Sequence, residues 1–205
     1  MSKVTSPHAQ TIAELVVQLG RITHGSAYDG GLTPAQWNVL RYFSRANRFS
    51  RTVSAFAEFH ATTRGTASQT VKALISQGYL SRERSAHDGR SAYLDVTDTA
   101  KALLARDPCE DLVRAAGNLS AAERNQLATA LERLLSNLAE WSGKRRFGVC
   151  TSCTHLEQQG SRRKGMSGFE CTLFGEPLQE EELEKICINF QPAEKSGMRR
   201  ARSRR

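Results

Sequence analysis

Long apolar runs are missing from this chain of 205 residues. Hydrophobic residues make up 39% of the sequence, which is enough for a packed core. No run of them approaches the roughly 20 residues that a membrane-spanning helix needs. The first ten residues are polar and lack the apolar centre of a secretion signal. We therefore expect a soluble protein of the cytoplasm.

The residue patterns that most enzymes use are also missing. The sequence has no glycine-rich phosphate loop, no nucleophile with a nearby base and no pair of carboxylates at a plausible spacing. Its densest acidic stretch, residues 180–184, has the character of a solvated helix face. These absences predict that the chain is not an enzyme.

Excess positive charge is scarce outside the last eleven residues. The formal net charge is +8, but this tail contributes six positive charges, and the remainder holds 23 basic against 21 acidic residues. The overall charge is therefore weak support for a polyanionic partner. Whether the chain binds nucleic acid must be judged from where its cations lie. We expect residues 193–205 to form a disordered basic tail, which either adds non-specific phosphate affinity or only improves solubility.

The N-terminal half contains several signals for helices. A first helix is predicted to begin at Ser6-Pro7 and a second at Thr33-Pro34, where Gln36 completes a capping box. Apolar residues recur at helical spacing in both segments. Those of the first helix are Ile12, Leu15, Val16, Leu19 and Ile22, and those of the second are Trp37, Leu40 and Phe43.

Two closely joined helices followed by two strands form the most specific pattern. Helices are predicted over residues 52–59 and 63–77, with only His60-Ala61-Thr62 between them. Gly78 ends the second helix. Residues 79–84 and 91–96 are predicted strands, joined by the polar turn 85–90. This order is that of a helix-turn-helix with a hairpin wing.

The second of these helices has two different faces. Apolar residues (Ala67, Val71, Leu74 and Ile75) fall on one side at about 100° per residue. The other side is small and polar, so it is either a solvated face or a surface that meets base edges. The basic wing favours DNA. The candidate DNA-binding residues are Thr63, Arg64, Gly65, Thr66, Gln69 and Lys72 on the helix and Arg82, Arg84, His87 and Arg90 on the wing.

The stretch 98–141 is also predicted to be helical. Thr97 caps its start, Pro108 interrupts it and Ser120-Ala121-Ala122-Glu123 is a second capping box. A stripe of apolar residues follows at steps of four and three, and it belongs either to a plain core or to a dimer interface. Its members are Leu127, Leu131, Leu134, Leu138 and Trp141. Residues 142–148 have the composition of a linker.

The stretch from Leu32 to Leu104 resembles the MarR family of bacterial regulators. The motifs that carry the resemblance are Leu32-Thr33 with Trp37 and Leu40, Thr63-Arg64-Gly65-Thr66 with Leu74 and Gly78-Tyr79-Leu80-Ser81-Arg82, Asp88-Gly89-Arg90-Ser91, and Leu94-Asp95-Val96-Thr97. The resemblance implies a mainly α fold with a small β-hairpin wing, an obligate homodimer and a near-palindromic DNA operator. It also implies that Asp88 orients Arg90 in DNA binding. The loop Arg45–Arg48 departs from the family because it carries extra cations.

Four of the five cysteines lie close together in the last third. Cys150 and Cys153 form a CxxC pair, and Cys171 and Cys187 complete a set of four thiolates. In a chain without a secretion signal this pattern predicts a metal site. A single CxxC with two isolated cysteines and apolar flanks favours an iron–sulfur cluster over zinc. Cys109 stands apart as a packing cysteine or a redox thiol.

These features predict five regions: an N-terminal dimerisation helix (1–31), a winged helix-turn-helix domain (32–97), C-terminal dimerisation helices with a linker (98–148), a four-cysteine segment (149–192) and a basic tail (193–205). The favoured function is a repressor whose operator affinity responds to an iron–sulfur site. One alternative is a regulator with structural zinc that responds to a small aromatic or lipophilic ligand. A more remote one is a redox or electron-transfer protein.

Overall fold

The computed structural model describes residues 6–25, 31–84, 92–158 and 168–193. Within these ranges no helix is long and apolar enough to cross a membrane. The α-helices are α1 (Pro7–Gly25), α2 (Pro34–Arg45), α3 (Val53–Phe59), α4 (Arg64–Ser76), α5 (Asp98–Leu104), α6 (Glu110–Gly117) and α7 (Ala121–Trp141). The strands are β1 (Leu80–Arg84), β2 (Ala92–Val96), β3 (Leu156–Gln158), β4 (Phe169–Cys171) and β5 (Glu176–Leu178).

The strands form two separate antiparallel sheets. Strands β1 and β2 pair as a hairpin with Leu80 opposite Val96. Strands β3, β4 and β5 form a small sheet in that order. A mainly helical fold with a hairpin wing is therefore confirmed. The turn 85–90 that was predicted to join the wing strands lies outside the described residues, as does the tail from 194 onward.

Local capping explains where the helices begin. At α2 the Thr33 hydroxyl accepts a hydrogen bond from the N–H of Gln36, whose side chain accepts one from the N–H of Thr33. Ser120 and Glu123 make the same reciprocal pair at α7. Each pair satisfies backbone donors that a helix end leaves free. Both predicted capping boxes are confirmed.

The main core is built around α2. Trp37, Leu40 and Phe43 are completely buried, as the sequence predicts. The other buried members come from the rest of α2 and the residues flanking it, the helix-turn-helix, the wing strands and α5. Ile186, more than 130 residues away in sequence, also enters this core. The cysteine segment is therefore packed directly against the helix-turn-helix domain.

A buried ion pair fastens α2 to the turn before α6. Arg41 donates to both carboxylate oxygens of Asp107, at 2.7 and 2.5 Å, and Asp107 is 8% exposed. The same carboxylate accepts the N–H of Cys109 at 2.8 Å. A two-bond pair of this kind fixes both distance and orientation. This contact could not be predicted from the sequence, because 66 residues separate the partners.

The apolar stripe of α7 is not part of this chain's core. Leu127, Leu138 and Trp141 are 47%, 49% and 78% exposed, and Leu131 is 36% exposed. The interpretation of the stripe as plain core is therefore wrong for the single chain. The apolar side chains of α1 are similarly exposed, from 39% at Val16 to 58% at Leu15. Two helices thus present large apolar side chains to their surroundings.

His60 makes stability depend on pH. It lies in the turn between α3 and α4 against the rings of Phe56 and Phe59, and burial lowers the pKa of its imidazole to about 4. The folded state favours the neutral imidazole. The contribution of His60 to the free energy of unfolding is therefore complete above pH 6.5 and is lost as the pH falls towards 4. We expect the free energy of unfolding to fall by up to about 1.4 kcal/mol per pH unit there.

Urea unfolding at a series of pH values measures this loss. The variant His60→Phe is expected to have a flatter dependence between pH 6.5 and 4.5, because it carries no imidazole to protonate. An unchanged slope in the variant would show that other groups cause the acid sensitivity.

Candidate DNA interface and cysteine site

Helix α4 sits at the surface with its polar face outward. Thr63 is its N-cap, and the Thr63 hydroxyl accepts the N–H of Thr66 at 3.1 Å. Ala67, Val71 and Leu74 are buried, which fixes the rotation of the helix about its axis. Each candidate DNA-binding residue on this helix is exposed: Thr63, Arg64, Gly65, Thr66, Gln69 and Lys72.

The turn before α4 orients the two helices. Ala61 has a φ of 51°, a left-handed conformation that reverses the chain within three residues. The first turn of α4 carries no acidic residue. Its N-terminus therefore presents the positive end of the helix dipole together with the Arg64 guanidinium. This surface suits an anionic group such as a phosphate.

The wing is only partly described. Arg82 is exposed on β1, opposite Leu94 of β2. Arg84 ends β1 and pairs with Ala92, and its side chain lies outside the described part. His87, Asp88 and Arg90 lie in the range 85–91, outside the described residues. The predicted pairing of Asp88 with Arg90 therefore stays a prediction.

The four clustered cysteines meet at one small cavity. Cys150 and Cys153 flank a short 3₁₀ turn (Cys150–Ser152), Cys171 ends β4, and Cys187 pairs with Gly148 in an isolated bridge. All four thiols line the same cavity, and all five cysteines of the chain are free. Cys109 lies elsewhere, half-buried at the start of α6.

The thiols surround this cavity without forming a closed ligand set. Among the described residues, no three His, Cys, Asp or Glu side chains are grouped closely enough to hold a single metal ion. Burial and the nearby Cys187 raise the pKa of Cys150 to about 12. Its proton is therefore lost readily only when a cation enters the cavity.

Two buried nitrogens at the cavity have no hydrogen-bond partner in the described part of the chain. They are Nδ2 of Asn47, a residue with 0% exposure, and Nε2 of His155. Unpaired buried polar groups are costly and rare. The cavity therefore combines four thiols with two polar groups able to bond an occupant. No motif in the sequence marks either residue, because Asn47 is more than 100 residues from the cysteines and reaches them only through folding.

Part of the charge near the cysteine segment is used in contacts within the chain. Arg48, one of the extra cations of the loop Arg45–Arg48, donates to the Pro177 carbonyl at 2.5 Å and pairs with Glu176 and Glu182. The Glu182 side chain is only 12% exposed. Glu180, Glu181 and Glu184 are exposed as expected, but the stretch forms only a 3₁₀ turn (Glu180–Glu182) instead of a helix, and Glu182 is a largely buried ion-pair partner.

The predicted linker is anchored at its end. The ring of Phe147 lies 4.9 Å from that of Phe59, and Gly148 pairs with Cys187. A Cβ on Gly148 would lie 2.7 Å from the Phe190 ring, so only glycine fits there without rearrangement. Residues 142–146 remain compatible with a linker, but 147–148 belong to the packed structure.

Comparison with known proteins identifies the helix-turn-helix region. Residues 30–91 match the family model described as the MarR family. The structure of S. aureus MepR in a DNA complex aligns with a TM-score of 0.52 and 18% identity, over 67% of this chain and 99% of MepR. A MarR transcriptional regulator from Methanosarcina mazei Go1 aligns with a TM-score of 0.50 and 19% identity, over 64% and 98%. No curated protein matches the sequence significantly. Residues 30–91 are therefore similar to the MarR family, and the fold of this region is the winged helix-turn-helix of the solved regulators.

Proposed function

We propose that this protein is a dimeric, DNA-binding transcription regulator, acting as a repressor rather than an enzyme. Its operator affinity responds to an iron–sulfur site formed by Cys150, Cys153, Cys171 and Cys187. The observation that carries the DNA-binding part is the exposed polar face of α4, held by buried Ala67, Val71 and Leu74.

A helix presented in this way fits the major groove. The Gln69 amide can donate to and accept from an adenine edge, and Arg64 and Lys72 suit flanking phosphates. A Cβ on Gly65 would meet only the Thr63 hydroxyl oxygen, at 3.8 Å, so nothing in this chain requires glycine there. A glycine at position 65 would allow the DNA backbone to approach the start of α4 closely, because it has no side chain. The fold match to MepR, solved as a DNA complex, supports this proposal.

Dimerisation is supported by the exposed apolar stripe of α7. Large side chains such as Leu127, Leu138 and Trp141 lie on one face of a helix of 21 residues. A second copy would bury this face, and a twofold dimer would place two α4 helices against two operator half-sites. The exposed apolar residues of α1 extend the surface available for that contact.

The pattern of one CxxC pair with two isolated cysteines, around a cavity that apolar residues also line, supports a cluster over a single zinc ion. Zinc needs four ligand atoms about 2.0–2.3 Å from one point. In an iron–sulfur cluster the thiolates bind different irons, so the sulfurs stand further apart around a shared space. The sulfides of a cluster also accept hydrogen bonds, which suits the unpaired nitrogens of Asn47 and His155.

The DNA-binding proposal is tested by replacing Gln69. Gln69→Ala is expected to weaken operator binding by about tenfold to a hundredfold, because it removes a bidentate base contact. Gln77→Ala is the matched control, since Gln77 lies past the other end of α4 and its side chain bonds Gln36. Fluorescence anisotropy with a selected operator measures both. Equal affinity of Gln69→Ala and wild type would contradict the placement of α4 in the groove.

The cofactor is tested by an absorption spectrum and elemental analysis of protein purified without oxygen. A cluster is expected to give broad bands at roughly 320–420 nm, with iron and sulfide in the sample. A colourless protein with one zinc per chain would contradict the cluster and favour a structural site, with a small aromatic ligand as the regulator's signal.

A further inference from the structure

The connection between α2 and α3 touches both the cysteine segment and the DNA-binding helices. On the cysteine side, the N–H of Ile186 donates to the Arg45 carbonyl at 2.7 Å, and the N–H of Asn47 donates to the Ile186 carbonyl at 2.9 Å. The rings of Phe49 and Phe174 stack with centroids 4.1 Å apart. Residues 45–51, here called the bridge loop, therefore hold the cysteine segment in place.

One polar side chain of the bridge loop, Asn47, lines the cavity, and a second, Ser50, holds it from behind. Asn47 and Ser50 are both 0% exposed, and the Ser50 hydroxyl donates to Asn47 Oδ1 at 2.8 Å while accepting the N–H of Ile188 at 2.9 Å. Asn47 and Cys187 both line the cavity. The Nδ2 atom of Asn47 is buried and has no hydrogen-bond partner among the described residues.

The other end of the bridge loop holds the wing and the helix-turn-helix. The Arg51 guanidinium pairs with Asp95 of β2 at 2.6 Å, and the Arg51 carbonyl accepts the N–H of Leu94 at 2.9 Å. Thr52, next in the chain, caps α3 through the N–H of Ala55. Any displacement of the loop therefore reaches both β2 and the start of α3, the helix that packs against α4.

We propose that Asn47 and Ser50 are the positioning residues that transmit the state of the cysteine site to the DNA-binding surface. This inference rests on the proposed function above. When the cavity holds a cluster, the Asn47 amide donates to a sulfur and fixes the bridge loop, and with it Arg51, β2 and α3. When the cluster is lost, the amide again lacks a partner and the loop can rearrange.

The test compares wild type with Asn47→Ala and Ser50→Ala, all purified without oxygen. For each protein, iron content, the reduction potential of the cluster and operator affinity with and without cluster are measured. The variants are expected to keep iron within about twofold of wild type, since all four ligands remain. Their cluster potential should be more negative, because a donor to sulfur is removed or loosened. The ratio of cluster-loaded to cluster-free affinity should fall at least about fivefold.

Ser44→Ala is the matched control for the loss of a hydroxyl. Ser44 lies on α2 directly before the bridge loop, and within the described part of the chain its hydroxyl bonds the Arg41 carbonyl of its own helix, at 2.9 Å. The Ser44→Ala variant should keep the wild-type ratio of cluster-loaded to cluster-free operator affinity and the wild-type reduction potential. If circular dichroism shows that Asn47→Ala does not fold, the inference is tested with Ser50→Ala alone. This variant leaves the backbone hydrogen bonds of the loop intact.

Three outcomes overturn the inference. If Asn47→Ala and Ser50→Ala both keep the wild-type affinity ratio and the wild-type reduction potential, the bridge loop does not transmit the state of the cysteine site. The proposed function would still stand. An iron-free wild type, or one with the same affinity in both states, would remove the proposed function and this inference together.

Discussion

Replacing Cys150 with serine is expected to reduce bound iron to under about a tenth of the wild-type amount and to abolish the cofactor-dependent change in operator affinity. Cys150 is buried on the 3₁₀ turn that also positions Cys153, and its thiol lines the common cavity. Serine is nearly isosteric, so the backbone should be preserved while the sulfur ligand is lost. Iron and sulfide assays with anisotropy on the operator measure both effects.

Cys109→Ser is the control for this experiment. Cys109 is free and half-buried, but it lies at the start of α6, outside the cavity. This variant should keep wild-type iron and wild-type regulation. Unaltered regulation in Cys150→Ser would argue that the cysteine site plays no part in DNA binding, and a loss of iron in Cys109→Ser would argue for a different ligand set.

Placing a charge on the apolar stripe is expected to give the largest loss of DNA binding. Leu131 lies in the middle of α7, between Leu127 and Leu138 on the same face. A glutamate there would bury an unpaired carboxylate in the proposed dimer interface, which is strongly unfavourable. We expect Leu131→Glu to be a monomer that binds the palindromic operator at least about a hundredfold more weakly, because each α4 then binds its half-site alone.

Thr129→Glu adds the same charge on the opposite face of the same helix. Thr129 is exposed and should tolerate the substitution, so this variant is expected to stay dimeric. Analytical ultracentrifugation reports the oligomeric state of both proteins. A monomeric wild type, or a dimeric Leu131→Glu with normal operator affinity, would contradict the assignment of α7 to the interface.

Features that depend on neighbouring residues could be predicted from the sequence. Thr33, Ser120 and the prolines at helix starts act within one turn, so the beginnings of α1, α2 and α7 follow from local rules. The rotation of α4 follows from the spacing of Ala67, Val71 and Leu74, which are buried as expected. Such patterns need no knowledge of distant partners.

The contacts that join the cysteine segment to the helix-turn-helix could not be predicted in this way. Arg48 bonds the Pro177 carbonyl 129 residues away, and Ile188 bonds Ser50 across 138 residues. In sequence, Arg48 looks like a surface cation and Asn47 like a loop residue. Only the packing of residues 147–193 against the bridge loop gives Arg48 its ion pairs with Glu176 and Glu182 and buries the Asn47 side chain.

The central claim is that DNA affinity depends on the state of the four-cysteine site, and one titration tests it most directly. The protein is purified without oxygen and divided, and one half is stripped of its cofactor with a chelator. Both halves are titrated against the same operator at the same salt concentration, because phosphate contacts make the affinity depend on salt. We predict dissociation constants that differ by at least about fivefold. Superimposable binding curves would contradict the claim.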